Sequence, residues 1–146
     1  MSHTHLLYHI IYGTKNRLPI IAESWESEFY KQTGGIVRNH HGVAIEINGM
    51  PDHLHMLVRL RPIVAVADFL REVKSISSGW IRRTYEHKFR WQRRYGAFSV
   101  SESVSDAVRR YIKNQKQHHK QQTFEDEYKE LLRLHNVPFD EQYLWE

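Results

Sequence analysis

Val43-Ala44-Ile45-Glu46-Ile47-Asn48-Gly49-Met50-Pro51-Asp52-His53-Leu54-His55-Met56-Leu57-Val58-Arg59-Leu60 carries the central pattern of this chain. Residues 43–47 alternate as a strand, residues 48–52 have turn chemistry, and residues 54–60 read as a second strand. Two strands joined this way predict a β-hairpin. Pro62 closes it, and residues 64–86 predict a long helix with Val66, Phe69, Leu70, Val73, Ile76 and Trp80 on one side. Upstream, residues 4–14 are β-branched and aromatic with apolar side chains on both faces, as in a central strand. Residues 15–19 break that strand. Residues 22 to about 40 predict a helix burying Trp25, Phe29, Ile36 and Val37, weakened in the middle by Gly34-Gly35. Downstream, residues 97–101 form a short strand, and Ser103 and Asp106 have the spacing of a capping box. That box predicts a helix through about residue 121, and a shorter helix over residues 124–134 precedes an irregular aromatic end. The order strand, helix, strand, strand, helix, strand predicts an α+β, ferredoxin-like βαββαβ (RRM-like) antiparallel sheet. Its helices lie on one face, and C-terminal helices are added.

A chain of 146 residues, 40% hydrophobic, suits one domain with a single core. Residues 1–121 read as the core and 122–146 as an acidic extension. The charge divides the same way: of +4 overall, residues 125–146 carry −5 and residues 1–124 carry +9. A basic body with an acidic tail suggests a polyanionic partner, while the tail itself is expected to pack on or screen its own basic surface. With no cysteine, a disulfide framework, a cysteine nucleophile and a thiolate zinc site are excluded. No apolar run is long enough to span a membrane, and Met1-Ser2-His3-Thr4-His5 lacks the order of a secretory leader. These features fit a cytoplasmic protein.

Two constellations can carry chemistry. In His53-Leu54-His55, side chains two apart on a strand share a face, so both imidazoles project together while Leu54 enters the core. Such a pair can share one divalent metal ion, or it can be two surface histidines in a chain that has 11. In Tyr111-Ile112-Lys113-Asn114-Gln115, positions i and i+4 present a phenol and an amide oxygen to one place. Val104, Val108 and Ile112 form the stripe that packs this helix down, and the stripe turns polar at Gln115 and His119. A tyrosine oxygen can cut a phosphodiester when a metal polarises the phosphate. Two histidines and one amide would make a modest, open site for Mg²⁺ or Mn²⁺.

The ordered motifs resemble those of the single-tyrosine HUH transposases of insertion sequences. His53-Leu54-His55 after Met50-Pro51-Asp52 resembles the His-hydrophobic-His motif itself. Residues 91–101, residues 108–115, Lys15-Asn16-Arg17-Leu18-Pro19 and Lys74-Ser75-Ile76-Ser77-Ser78 resemble further blocks of that family. His118-His119 and the tail Phe124-Glu125-Asp126-Glu127-Tyr128, ending Tyr143-Leu144-Trp145-Glu146, are similar to the branch associated with repetitive extragenic palindromes. Arg94 departs from the pattern, standing where a glycine is frequent.

The resemblance implies Tyr111 as the nucleophile of a 5′-phosphotyrosine bond, with His53, His55 and Gln115 as metal ligands. It also implies a homodimer with composite active sites, acting on single-stranded DNA beside a hairpin without hydrolysing it. No ATP site is needed for such a transesterification, and no Gly-rich phosphate loop is present. DNA binding is expected from Lys74, Arg82, Arg83, Arg90, Arg93 and Arg94, interleaved with Trp80, Tyr85, Phe89, Trp91 and Tyr95. The other readings are a non-catalytic ferredoxin-like module that binds structured single-stranded DNA or RNA, and, more weakly, a small-molecule phosphoesterase. The latter would need a second strand-borne histidine pair, and His118-His119 on a helix does not supply it.

Overall fold

The computed structural model describes residues 2–146, so Met1 of the stretch examined for a leader lies outside the described residues. Four strands form one antiparallel sheet in the order β2-β3-β1-β4, with β1 Leu7–Gly13, β2 Gly42–Met50, β3 His53–Leu60 and β4 Gly96–Ser99. Helix α1 (Glu23–Asn39) links β1 to β2, and α2 (Val66–Thr84) links β3 to β4. After β4 come α3 (Ser105–Lys113), the short α4 (Gln115–His118) and α5 (Phe124–Leu134). This is the ferredoxin-like order read from the sequence, followed by C-terminal helices. No helix among the described residues is long and apolar enough to cross a membrane.

The pleat sorts side chains onto two faces. Tyr12 and Ile10 of β1, with Leu54, Met56, Val58 and Leu60 of β3, meet Phe29, Ile36 and Val37 of α1 and Phe69, Leu70 and Val73 of α2. Leu54 is thus in the core, as the alternation requires, and so are all four positions assigned to α1. Burying each such large side chain contributes roughly 1.5–3 kcal/mol. On the opposite face, Ile11 and Phe98 pack against Phe124, Tyr128 and Leu132 of α5 and against Leu144. Beside them, Leu7, Leu57 and Val100 receive Ile112 of α3.

Three local expectations are corrected. The stretch 48–52 is not all turn: Asn48 and Gly49 pair with His55 and Leu54, and only Pro51 and Asp52 turn the chain. Gly49 is required there, because a Cβ would stand 2.2 Å from the His53 carbonyl oxygen. Ile76 of α2 is 39% exposed, and its place on the buried face is taken by Ser77 and Ile81. Ser77 accepts a hydrogen bond from the Trp91 indole N–H at 3.1 Å, which makes a polar position tolerable there. The predicted helix 103–121 is divided. Ser101, not Ser103, caps a one-turn 3₁₀ segment, and α3 stops at Asn114 before α4 resumes. Asn48 Nδ2 donates to the carbonyls of Ile112 and Lys113 at 3.0 Å each, drawing off acceptors that would have continued the helix.

A candidate metal and nucleophile site

The register of β1 against β3 places Ile11 opposite His55 and Gly13 opposite His53, so the face under α3–α5 carries His9, His53 and His55 together. His53 and His55 are fully buried, which removes the surface-pair reading. Each imidazole is held on its outer side. His53 Nδ1 is 2.7 Å from Asp52 Oδ1, and His55 Nδ1 is 2.9 Å from His9 Nε2. The inner Nε2 atoms point at Glu127 of α5, whose Oε1 is 3.0 Å from His55 and 3.5 Å from His53. His119, just past α4, joins them. Its Nε2 is also 3.0 Å from Glu127 Oε1, and its Nδ1 is 2.7 Å from the Gln122 carbonyl.

The other carboxylate oxygen faces the predicted nucleophile. Tyr111 donates its hydroxyl to Glu127 Oε2, and Gln115 Nε2 donates to the same oxygen at 3.2 Å. Gln115 Oε1 lies 3.3 Å from His53 Nε2. The Tyr111 ring packs edge-on against His9 and His55, with centroids 6.0 and 5.9 Å away. One buried carboxylate therefore bridges the phenol and amide on one side to three imidazoles on the other. Phe124 covers the cluster, stacked on His53 with centroids 4.0 Å apart. Lys116 ties the start of α4 to the sheet by donating to Gly49 O and, at 3.3 Å, to Asn48 Oδ1.

Electrostatics follow from burial. Burial pushes the His55 pKa down to about 4, only partly offset by Glu127, and lowers that of His9, with His55 adding to the effect. For His53 burial acts the same way, but hydrogen bonds to Asp52 and Glu127 outweigh it and raise the pKa. Burial would raise Glu127 too, yet bonds from His119, His53 and His55 hold it far below the carboxylate range. Tyr111 is raised by burial and by the charge of Glu127, so it stays a phenol and donates.

Tyr111, His53, His55 and Gln115 are thus brought to one place, within one chain. Sequence reasoning gave Glu127 no role in the site, leaving it in an acidic tail expected to pack on or screen basic surface. A signal existed: Phe124, Glu127, Tyr128 and Leu132 share one helical stripe, so Glu127 sits on the apolar face. His119 appeared as a polar end to a stripe and in the branch resemblance, and Asp52 as part of the turn before the His motif, but neither was given a role in the site, and nor was His9.

The cationic candidates lie across the sheet. Arg82, Arg90 and Arg93, with Arg71 and Lys74, line an open cleft of about 350 Å³ between α2 and the segment before β4. Lys74 spends its ammonium on the carbonyls of Gln92 (2.7 Å), Arg93 (3.2 Å) and Arg94 (3.4 Å), so it clamps this segment instead of standing free for phosphates. Arg94 pairs with Glu146 at 3.3 Å, whereas Arg83 is exposed outside the cleft lining. Phe89 is a core residue, whereas Trp91 belongs to the core and also lines the cleft together with Tyr95.

Residues 2–115 match the family described as transposase IS200 like. The ISDra2 transposase TnpA of Deinococcus radiodurans is 25% identical over 117 residues, covering 75% of this chain and 84% of that protein. A crystal structure of a candidate transposase from Deinococcus radiodurans R1 superposes with a TM-score of 0.65 at 23% identity, covering 78% of this chain and 93% of the other. A REP-associated tyrosine transposase bound to a REP hairpin gives 0.62 at 13% identity, covering 82% and 73%. At those identities the two structures speak for the fold. His119 and Glu127 fall beyond residues 2–115, the span of the family match.

Proposed function

The chain belongs to the IS200-like transposase family, and on that footing we propose that Tyr111 cuts and rejoins single-stranded DNA beside a hairpin. The observation that carries this reading is the bridge from the Tyr111 hydroxyl through Glu127 to His55 and His53, all on one buried face of the sheet. In the reaction Tyr111 Oη bonds to phosphorus and the P–O3′ bond breaks, giving a 5′-phosphotyrosine and a free 3′-hydroxyl. The phenolic proton must leave as the bond forms, and the departing O3′ gains one. Rejoining reverses the step, so bond energy is kept in the protein–DNA link and no hydrolysis intervenes.

His53 and His55, with Gln115 beside them, are the residues to hold Mg²⁺ or Mn²⁺. Their fit rests on the outer nitrogens being fixed by Asp52 and His9, which aims both Nε2 atoms at one point. When bound, the ion polarises the scissile phosphate and stabilises charge on its oxygens. Arg82, Arg90 and Arg93 supply the positive surface for the DNA backbone, with Arg83 and Arg94 at its margin. The relative bound to a REP hairpin supports a DNA hairpin as the recognised element. The family resemblance supports a homodimer, although Tyr111 already packs against the histidines of its own chain.

Incubation with hairpin-bearing single strands and Mn²⁺ or Mg²⁺ is expected to give a covalent adduct on a denaturing gel. Tyr111→Phe removes the adduct and leaves DNA binding intact. An adduct that survives this change defeats the assignment. One observation favours a binding module with idle chemistry: α5 and Phe124 cover the histidines. That alternative predicts salt-sensitive binding indifferent to EDTA, and no adduct.

A further inference from the structure

We propose that the divalent-cation site is completed from beyond the family match, by His119 and Glu127, which join His53 and His55 as ligands. The proposal rests on the reading above for the His53–His55 pair and adds two residues to which the sequence resemblance gave no ligand role. One ligand atom from each of the four residues lies within 4.8 Å of all the others. Atoms bound to one ion at about 2.1 Å lie about 3.4 Å apart in a tetrahedral set and about 4.2 Å apart when opposed, so the cluster would contract by about 0.6 to 1.4 Å at its widest.

Two further observations point to a cation. The first is how the imidazoles are anchored. His53 Nδ1 faces the Asp52 carboxylate and His119 Nδ1 faces the Gln122 carbonyl, so each donates outward and, as a neutral ring, turns a lone pair inward. Outward anchoring of this kind fixes the tautomer and orientation of metal-binding histidines. Inward, the same two rings meet another acceptor, Glu127 Oε1, at 3.5 and 3.0 Å. Acceptor facing acceptor on both rings leaves the centre short of positive charge, which either extra protons or one dication must supply. The second observation is Glu127 itself, a carboxylate whose side chain is 1% exposed. Its partners are imidazoles, the Gln115 amide and the Tyr111 phenol, and no lysine or arginine pairs with it among the described residues. A buried carboxylate without a permanent cation is costly, and a bound metal ion removes that cost.

Three imidazoles and one carboxylate suit Mn²⁺, Co²⁺ or Zn²⁺ better than Mg²⁺, which prefers oxygen ligands. Glu127 then links two tasks. Oε1 belongs to the ion, and Oε2 keeps the Tyr111 hydroxyl beside it, so the C-terminal helix sets the distance between nucleophile and cation.

The test needs no DNA. Mn²⁺ and Zn²⁺ are titrated into the full chain, followed by calorimetry and by the loss of the free Mn²⁺ electron paramagnetic signal. Glu127→Gln and His119→Ala are each expected to raise Kd by about tenfold or more and to abolish the metal-induced rise in Tm. Tyr111→Phe removes the adduct but no ligand, only an outer hydrogen bond to Glu127 Oε2, so it should raise Kd less than either ligand variant; this separates the proposal from the nuclease reading, and either can fail while the other stands. Pulsed paramagnetic resonance on Mn²⁺-loaded wild type guards against variants that fold poorly, and should count three nitrogen ligands. Two nitrogens, or an unchanged Kd in both variants, overturns the proposal. A Kd that tightens in Glu127→Gln also overturns it, and makes Glu127 a plug that keeps the ion out.

Discussion

On β3, Leu54, Met56, Val58 and Leu60 point to one face of the sheet, and His53, His55 and Leu57 to the other. The first face is sealed by α1 and α2 with hydrocarbon and aromatic side chains. The second is sealed by α3–α5 and encloses imidazoles, an amide, a phenol and a carboxylate. Both are equally dry, since Leu54 and His55 are each 0% exposed. The difference teaches that burial here has two purposes. One face stabilises the fold, and the other excludes water from a charged cluster whose partners must be exact in position to be tolerated at all.

The sharpest way to break this contrast is a pair of neighbouring substitutions. His55→Ala is expected to lower adduct formation by about 10²-fold or more through loss of the metal site. Leu54→Ala next to it should cost about 2–5 kcal/mol of stability. Denaturant melts and adduct gels on both variants check this, and a His55→Ala protein that melts earlier than Leu54→Ala would dissolve the contrast.

Acid should weaken the polar face alone. His55 titrates near 4 when folded and near 6.5 when unfolded, so between those values the unfolded chain binds more protons. Metal-free protein should therefore lose stability as pH falls from 6.5 to 4, by up to about 3 kcal/mol from this group. His9 adds in the same direction. His53, raised in the folded state, contributes stability that is present below 6.5 and lost at higher pH. Urea midpoints across this range test the sign, and His55→Gln should flatten the slope.

Smaller effects separate scaffold from chemistry. Asn48→Ala strips two hydrogen bonds from the end of α3 and should cost about 1–3 kcal/mol, with a weaker adduct signal as Tyr111 loses its brace. Across the sheet, Lys74→Ala should lower Tm through its lost carbonyl contacts. Arg90→Ala should leave Tm alone and reduce the salt slope of DNA binding by about one. A salt slope unchanged in Arg90→Ala would remove the cleft from the DNA path.

How much of this was legible beforehand depended on distance along the chain. The core positions of α1, the entry of Leu54 into the core and the pairing of Tyr111 with Gln115 all follow from periodicities over a few residues. The strand through Asn48-Gly49 was misread because turn-forming residues there serve other ends. Gly49 lets the His53 backbone approach, and Asn48 caps α3. Glu127 was given no role in the site because its neighbours Glu125, Asp126 and Glu130 made the segment look like an acidic tail packing on or screening basic surface, while its own stripe on α5 is apolar.

Alternation along β3 determined, from sequence alone, that the two histidines share a face, because successive side chains on a strand must point opposite ways. Helical spacing likewise determined that Tyr111 and Gln115 rise together. Only the tertiary structure decided that a carboxylate 72 positions beyond His55 would settle between them. That outcome depends on α5 docking over Ile11 and Phe98, a contact between distant segments that no local repeat encodes.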